Sequence, residues 1–323
     1  MNRIKEFFKR NKLTTVIRII YELFNEFKVL YNYSGAISKR KSSNKWEAEL
    51  IMKAHAIEKG MSMHNVRIGF GEAKVHHILD EMNEYFKQYN NISFIGKIKA
   101  LLDAYFYFNE QNGHINTKLK EKFIKTFENE LPRYNGGIYT INKKDVMNAI
   151  DFNFDDFLKS RYAIRDFDTT AVDIDSIYKA IEMAKKTPSA CNRQPWGVYI
   201  YKNNKKNEIL QWQGNKGFTE NIQIAIIVTA SLESYFINEI HQAYIDGGLY
   251  AMTLIYCLHS LGLGTIPLTL GMMSSKNKAL YKKFNISKGE VPILMIGVGN
   301  LKETYKAAVS ERKSIDEYIK VIE

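Results

Sequence analysis

The run TPSACNRQPWGVYIY (187–201) decides how the second half of the chain is read. A helical pattern leads into it. Pro188 stops that helix, because proline lacks an N–H donor and clashes with the preceding turn. Ser189, Ala190 and Cys191 are small enough for a ligand to lie against the backbone. Asn192, Arg193 and Gln194 then place donors and acceptors in a row, and GVYIY (197–201) is strand-like. Helix, small polar loop, strand is a common way to build a ligand-binding edge. The same letters also fit a plain connection between a helix and a strand, and the loop alone does not separate the two.

Working outward, VDIDSIYKAIEMAKKT (172–187) reads as a helix with Asp173 as N-cap and Ile174, Ile177, Ile181 and Ala184 on one face. Further strand-like runs are IQIAIIVTA (222–230), GTIPLTL (264–270) and PILMIGVG (292–299). Between IQIAIIVTA and GTIPLTL lies DGGLYAMTLIYCLHSLGLG (246–264), apolar nearly all round, which predicts a central buried helix. The first 130 or so residues read differently. Helical patterns occupy 3–31, 46–60, 71–89, 92–111 and 116–131, and SGAISKRKSSNK (34–45) is a polar loop. Pro132 and Gly136-Gly137 punctuate a linker over 132–145. The expected division is a helical N-terminal region over 1–150 and an α+β domain over 151–323.

Composition narrows the function. Of 323 residues 45% are hydrophobic, enough to bury a substantial core. Two cysteines, Cys191 and Cys257, are too few for a disulfide framework. No stretch is apolar enough to span a bilayer, since Arg18, Glu22, Glu26 and Lys28 interrupt the best candidate. The basic start lacks the pattern of a secretory signal, and a cytoplasmic location is expected. Residues 1–150 hold 25 Lys and Arg against 16 Asp and Glu. A basic segment suits a membrane surface or another polyanion, but a solvated face is the commoner cause, and no nucleic-acid partner is expected. The helix over 3–31 carries Arg3, Lys5, Lys9, Arg10, Lys12 and Arg18 beside its apolar stripe. Packing on protein, or docking in a dimer, is favoured for it over a membrane interface. The seven histidines have no metal-ligand spacing, and neither a P-loop nor a GxGxxG fingerprint is present.

Three features join the opening loop. SRYAIRDF (160–167) sets Arg161 and Arg165 four apart, so that on one helical turn both guanidiniums face one spot. Such a pair suits a phosphate, although from spacing alone two exposed arginines are the favoured reading. The DGG start and SLGLG end of the central helix pack tightly. VSERKSIDEYI (309–319) places Arg312 in a polar loop.

In this chain order the four features resemble the nitroreductase-like family of FMN enzymes over about residues 157–319. The resemblance implies a central mixed, largely antiparallel sheet flanked by helices, preceded here by the all-helical region. It implies FMN contacts from Arg161, Tyr162, Ala163 and Arg165, where the family often has Ser in place of Ala163. It further implies contacts from Pro188, Ser189, Ala190, Asn192 and Gln194, with Trp196 packed behind. Pro267, Leu268, Thr269 and Leu270 match the segment whose backbone faces the flavin, where many members carry an acidic residue and a glycine in place of the last two. Arg312 matches a late phosphate-binding arginine, and Ser310 stands where a basic residue is common. The implied activity is two-electron transfer from NAD(P)H to a small organic acceptor, such as a nitro compound, a quinone or a biosynthetic intermediate. The implied assembly is a homodimer in which the small polar loop reaches the flavin held mainly by the neighbour. The chemistry would belong to the flavin, so no acid–base triad is required. Two rivals remain: an FMN-dependent dehydrogenase or oxidase in a polysaccharide or secondary pathway, and a non-catalytic scaffold with a basic docking helix. The segment HAIEKGMSMHNVRIGFG (55–71) reads either as a helix cap at Gly60 with a packed loop, which is slightly favoured, or as a cover for the open flavin face.

Overall fold

Four strands make one sheet in the order β1-β2-β4-β3, with β1 Trp196–Tyr201, β2 Ile224–Ser231, β3 Leu263–Thr269 and β4 Glu290–Asn300. These are the four strand-like runs of the sequence. All three ladders are antiparallel. β2 is buried at seven of its eight residues, as a central strand covered on both faces must be. β3 is an outer strand, which is why it tolerates Pro267. One parallel bridge, Ala163 to Thr265, lies against β3 and supplies the mixed character.

The computed structural model describes residues 12–35, 42–64, 66–214, 219–270, 280–308, 310 and 312–322. Residues 3–11 of the expected first helix lie outside them. The helices are α1 Lys12–Tyr33, α2 Ser43–Met61, α3 Glu72–Phe86, α4 Ile92–Gln111, α5 Thr117–Thr126, α6 Lys143–Ala149, α7 Phe154–Ser160, α8 Ile174–Ala184, α9 Asn203–Gln213 and α10 Gln242–Ser260.

α2 to α5 bury one apolar core that includes Trp46, Leu50, Ile78, Leu102 and Phe123. Asn91 and Asn116 cap α4 and α5 by accepting from backbone N–H groups. α5 ends at Thr126, five residues short of the expected boundary, because Phe127 leaves helical geometry to pack into the core. α2 runs past Gly60 to a cap at Ser62. Gly60 is therefore no cap: a Cβ there would meet the Phe70 ring at 2.1 Å. The 132–145 stretch lies against α4, with Gly136 so close to the Ala100 and Leu101 backbone that a side chain would collide.

α8 and α10 cover one face of the sheet, and α9 lies on the other. Asp173 caps α8 as expected, accepting from the Asp175 and Ser176 N–H groups. α10 starts at Gln242, four residues before DGG, and packs on both α8 and the sheet. Gly247 belongs there because a Cβ would strike Ile293 of β4. α1 turns only its last part inward: Val29, Leu30 and Tyr33 join Ala230, Leu232 and Tyr235. α2 packs against the turns at Ala190–Asn192 and Leu232–Ser234 and so links the two parts. Among the described residues no helix is long and apolar enough to cross a membrane.

Candidate functional site

α8 ends at Ala184, three residues before Thr187, and the chain then descends through Pro188 to a single 3-10 turn at Ala190–Asn192. Cys191, Asn192 and Gln194 have φ of 52°, 55° and 50°. Three non-glycine residues in the left-handed region within four positions store strain, roughly 1–2 kcal/mol for an ordinary side chain and less for asparagine. Hydrogen bonds hold this shape. The Ser189 hydroxyl accepts from the Gln194 N–H at 2.9 Å, and the Gln194 amide donates to Asn192.

Arg193 departs from its expected place in a row of ligand donors. Its side chain is fully buried. It donates to both Glu239 carboxylate oxygens at 2.6 and 2.8 Å, to the Ser234 carbonyl and to the Ala190 carbonyl. Its guanidinium also lies over the Tyr235 ring at 5.1 Å. With four of its five donors committed inside the protein and its side chain shut off from solvent, the guanidinium is not presented to a ligand. That Arg193 hydrogen bond holds the Glu239 carboxyl below the usual range.

Asp246, the first letter of DGG, is 1% exposed. It accepts from the Ala190 N–H at 3.0 Å, the Tyr235 hydroxyl at 2.9 Å and the Gln242 amide at 2.8 Å. Glu239 and Asp246 are thus the residues that shape the loop. The sequence signal existed for Asp246, an acid at the mouth of an apolar helix, but nothing local announced Glu239. Trp196 packs behind the loop as expected, stacked on Tyr250 at 4.7 Å.

The arginine segment corrects another expectation. α7 stops at Ser160, and Arg161 is already extended, with φ −83° and ψ 118°. Arg161 and Arg165 are not on one helical turn. In extended chain residues two apart share a face, so Arg161, Ala163 and Arg165 still share one while Ile164 is buried in the core. Pairing with β3 enforces this, through the Ile164 N–H donating to the Thr265 carbonyl at 2.9 Å. His259, near the end of α10, joins the group: its Nε2 lies 2.8 Å from the Ser160 hydroxyl. Burial, with a smaller contribution from nearby Arg161, pushes the imidazole below its ordinary value.

On β3, Leu268 and the following Leu270 are buried in the core, whereas Pro267 and Thr269 are exposed. Leu268 and Leu270 can offer a ligand only their backbone. Arg312 is exposed and donates to the Ser310 carbonyl at 2.7 Å. Tyr162 is exposed. Among the described residues, Arg161, Arg165 and Arg312 have no carboxylate ion-pair partner. No cluster of three or more metal-ligating side chains occurs among the described residues.

The structure does not gather these residues into one cradle. The loop is anchored at the start of α10 by Asp246, and Arg161 stands near its end beside His259. Thirteen helical residues separate these two points, about 20 Å at 1.5 Å per residue. The loop also precedes β1, while the arginines flank β3 at the opposite edge of the sheet, three strand spacings or about 14 Å away. The 55–71 segment folds back on the helical core: Gly69 donates to Asn109 at 2.8 Å, and His114 pairs with Glu72 at 2.7 Å.

Residues 158–223 match the family model described as Nitroreductase family. The match contains Arg161 through Gln194 of the expected site, and leaves Pro267–Leu270 and Arg312 outside it. No curated protein matches the chain. Among solved structures, a nitroreductase-like protein from Streptococcus mutans is 23% identical, covering 55% of this chain and 100% of that one, with a TM-score of 0.45. A nitroreductase family protein from Streptococcus pneumoniae TIGR4 is 22% identical over 53% of this chain and 100% of that one, TM-score 0.44. An FMN-dependent nitroreductase from Clostridium difficile R20291 is 22% identical over 48% and 91%, TM-score 0.41.

Proposed function

We propose that the sheet-containing half binds FMN and carries two electrons from NAD(P)H to an organic acceptor, working as a homodimer. The observation that carries this reading is the pairing of a strained, small, polar loop with a cationic edge whose arginines have no carboxylate partner among the described residues. The nitroreductase family match over 158–223 supports it.

The donor set fits the group. FMN carries a phosphate monoester of about −2 charge, and Arg161, Arg165 and Arg312 offer charged donors to it. Ser189, Asn192 and Gln194 offer a hydroxyl and side-chain amides in a fixed geometry, while Ala190, its N–H and carbonyl taken by Asp246 and Arg193, and Cys191 contribute small side chains beside which a flat ring can lie. Pro267 to Leu270 supply a backbone edge. When bound, FMN supplies the two-electron redox chemistry. The protein's share is to hold the phosphate, position the ring and exclude water. Two copies explain the separation of the two half-sites: the loop of one completes the arginine edge of the other.

The test is spectroscopic. Purified protein is expected to be yellow and to bleach anaerobically with NADH or NADPH. A yellow protein inert to both nicotinamides points instead to the dehydrogenase reading, and a colourless one that refuses FMN points to the scaffold. Arg161→Ala with Arg165→Ala removes two charge-assisted hydrogen bonds, worth roughly 1.5 kcal/mol each at an exposed site. FMN affinity should fall about 100-fold while riboflavin, which lacks the phosphate, is little affected. Equal loss of both ligands would sink the phosphate assignment.

A further inference from the structure

α1 lies on the protein by its last turns only. Val29, Leu30 and Tyr33 pack against Ala230, Leu232 and Tyr235, and the Gly35 N–H donates to the Leu232 carbonyl at 3.1 Å. Its inward positions are therefore Asn25, Val29 and Tyr33. The opposite side carries Ile17, Ile20, Phe24, Phe27 and Tyr31, spaced three, four, three and four apart, with Leu23 beside them. These six side chains are 53–60% exposed.

That spacing is a seam of 3.5 residues, the repeat by which one helix packs along another. A helix covering its own core would turn such a stripe inward; this one docks through Val29, Leu30 and Tyr33 at its end and leaves the stripe exposed. The six side chains expose roughly 700 Å² between them, taking large side chains at about 150–250 Å² each. A monomer rarely leaves a patch of that size open, and one side of a standard protein interface buries about 800 Å².

We infer that α1 pairs with α1 of a second copy of this chain along the Ile17–Tyr31 seam. A stripe that is apolar at every seam position matches itself under a two-fold axis, which is what a second copy offers. A lipid surface fits this helix less well. An interfacial helix sets its stripe beside a polar face rich in Lys and Arg, whereas here the basic residues Arg3 to Arg18 precede most of the stripe, which continues past them beside Glu22 and Glu26.

Two measurements on the full chain decide it. In sedimentation equilibrium, Ile20→Glu with Phe27→Glu is expected to weaken self-association at least tenfold. Both positions are exposed, so far-UV circular dichroism should match the parent, and self-association is read without added flavin, which separates this test from the flavin assignment. The second measurement places one cysteine at a time at Ile17, Ile20, Phe24 and Phe27. A two-fold helix pair brings at least one of these within disulfide reach of its own copy, so mild oxidation should give an interchain cross-link there. Unchanged self-association of the double variant, or no cross-link at any of the four, overturns the pairing. So does binding of the parent to phosphatidylserine vesicles at physiological salt that the double variant loses while its self-association stays the same.

Discussion

The helical core of α2 to α5 and the sheet-containing half are built from the same kinds of residues but spend them differently. In the helical core every described residue with positive φ is a glycine: Gly69, Gly71 and Gly113. Its ion pairs, Lys53 with Glu81 and Lys122 with Asp80 among them, sit at the rim. In the sheet-containing half, Arg193, Lys206 and Asp246 are buried, and the six left-handed non-glycine residues among the described residues are found there, three of them in one loop. A chain relaxes wherever only stability is required. Buried charge and stored strain together in one loop point to a surface shaped for something other than packing. The difference teaches where to look: the helical core supports, and the 188–194 loop is formed.

The sharpest way to break this comparison is to damage the helical core and ask whether the loop notices. Leu102 is fully buried on α4. Leu102→Ala leaves a cavity and should cost about 3 kcal/mol. If the helical core only supports, the FMN affinity of the folded variant changes by less than about twofold. Denaturation followed at Trp46, which lies in that core, should move to lower denaturant. A large loss of FMN affinity in the folded variant would mean that α2, which packs on the Ala190–Asn192 turn, transmits the core's packing to the loop.

A smaller change on the other side should do the reverse. Glu239→Gln keeps the shape but leaves the buried Arg193 guanidinium without its counter-charge. Removing one partner of a fully buried pair costs 3–5 kcal/mol; Glu239 is 27% exposed, so about 2 kcal/mol is expected. FMN affinity should fall with it, because the Ala190 carbonyl and the loop hang on the same guanidinium. The pH dependence follows in sign. Arg193 holds the Glu239 carboxyl below its ordinary value, so the folded protein binds this proton less readily than the unfolded chain. The stabilisation is complete above the unfolded value, about 4.3, and is lost as pH falls through the lower folded value. Thermal melts from pH 6 downward should show a shallower acid decline in the Gln variant than in the parent.

Much of the architecture was legible in the sequence because it rests on period and punctuation. The four strand runs, the Asp173 cap and the all-apolar α10 are local signals, and the structure places all of them. The loop was legible as small and polar, but its wiring was not. Arg193 looks like its neighbours Asn192 and Gln194; only Glu239, 46 residues away, turns it inward. Arg161 and Arg165 read as helical because they are four apart, the spacing of one helical turn. β3 captures the segment instead, through Ala163 and Thr265, a pairing between residues about a hundred apart that no window contains. The outward stripe of α1 was visible as amphipathic, but the side it would present depends on where its last turn docks.

The mildest test asks whether the strain in the loop has a use. Cys191 has φ 52° and ψ 30°, and a side chain there costs roughly 1–2 kcal/mol that glycine avoids. Cys191→Gly also makes the unfolded chain more flexible, which takes back about 0.5–1 kcal/mol. The net should be a stabilisation of less than about 1 kcal/mol, read as a small rise in the denaturation midpoint. If the loop's shape is held only for packing, nothing else changes. If it is held for a ligand, the glycine lets the Ala190–Gln194 backbone sample other geometries in the free protein. FMN then binds severalfold more weakly, mostly through slower association, although no contact from a side chain other than the thiol has been removed. A variant that is more stable and binds worse separates a loop formed for a ligand from one that is merely tolerated. A control at Ser260, which hydrogen-bonds only the Cys257 carbonyl near the end of α10, should leave FMN affinity where it was on substitution to alanine.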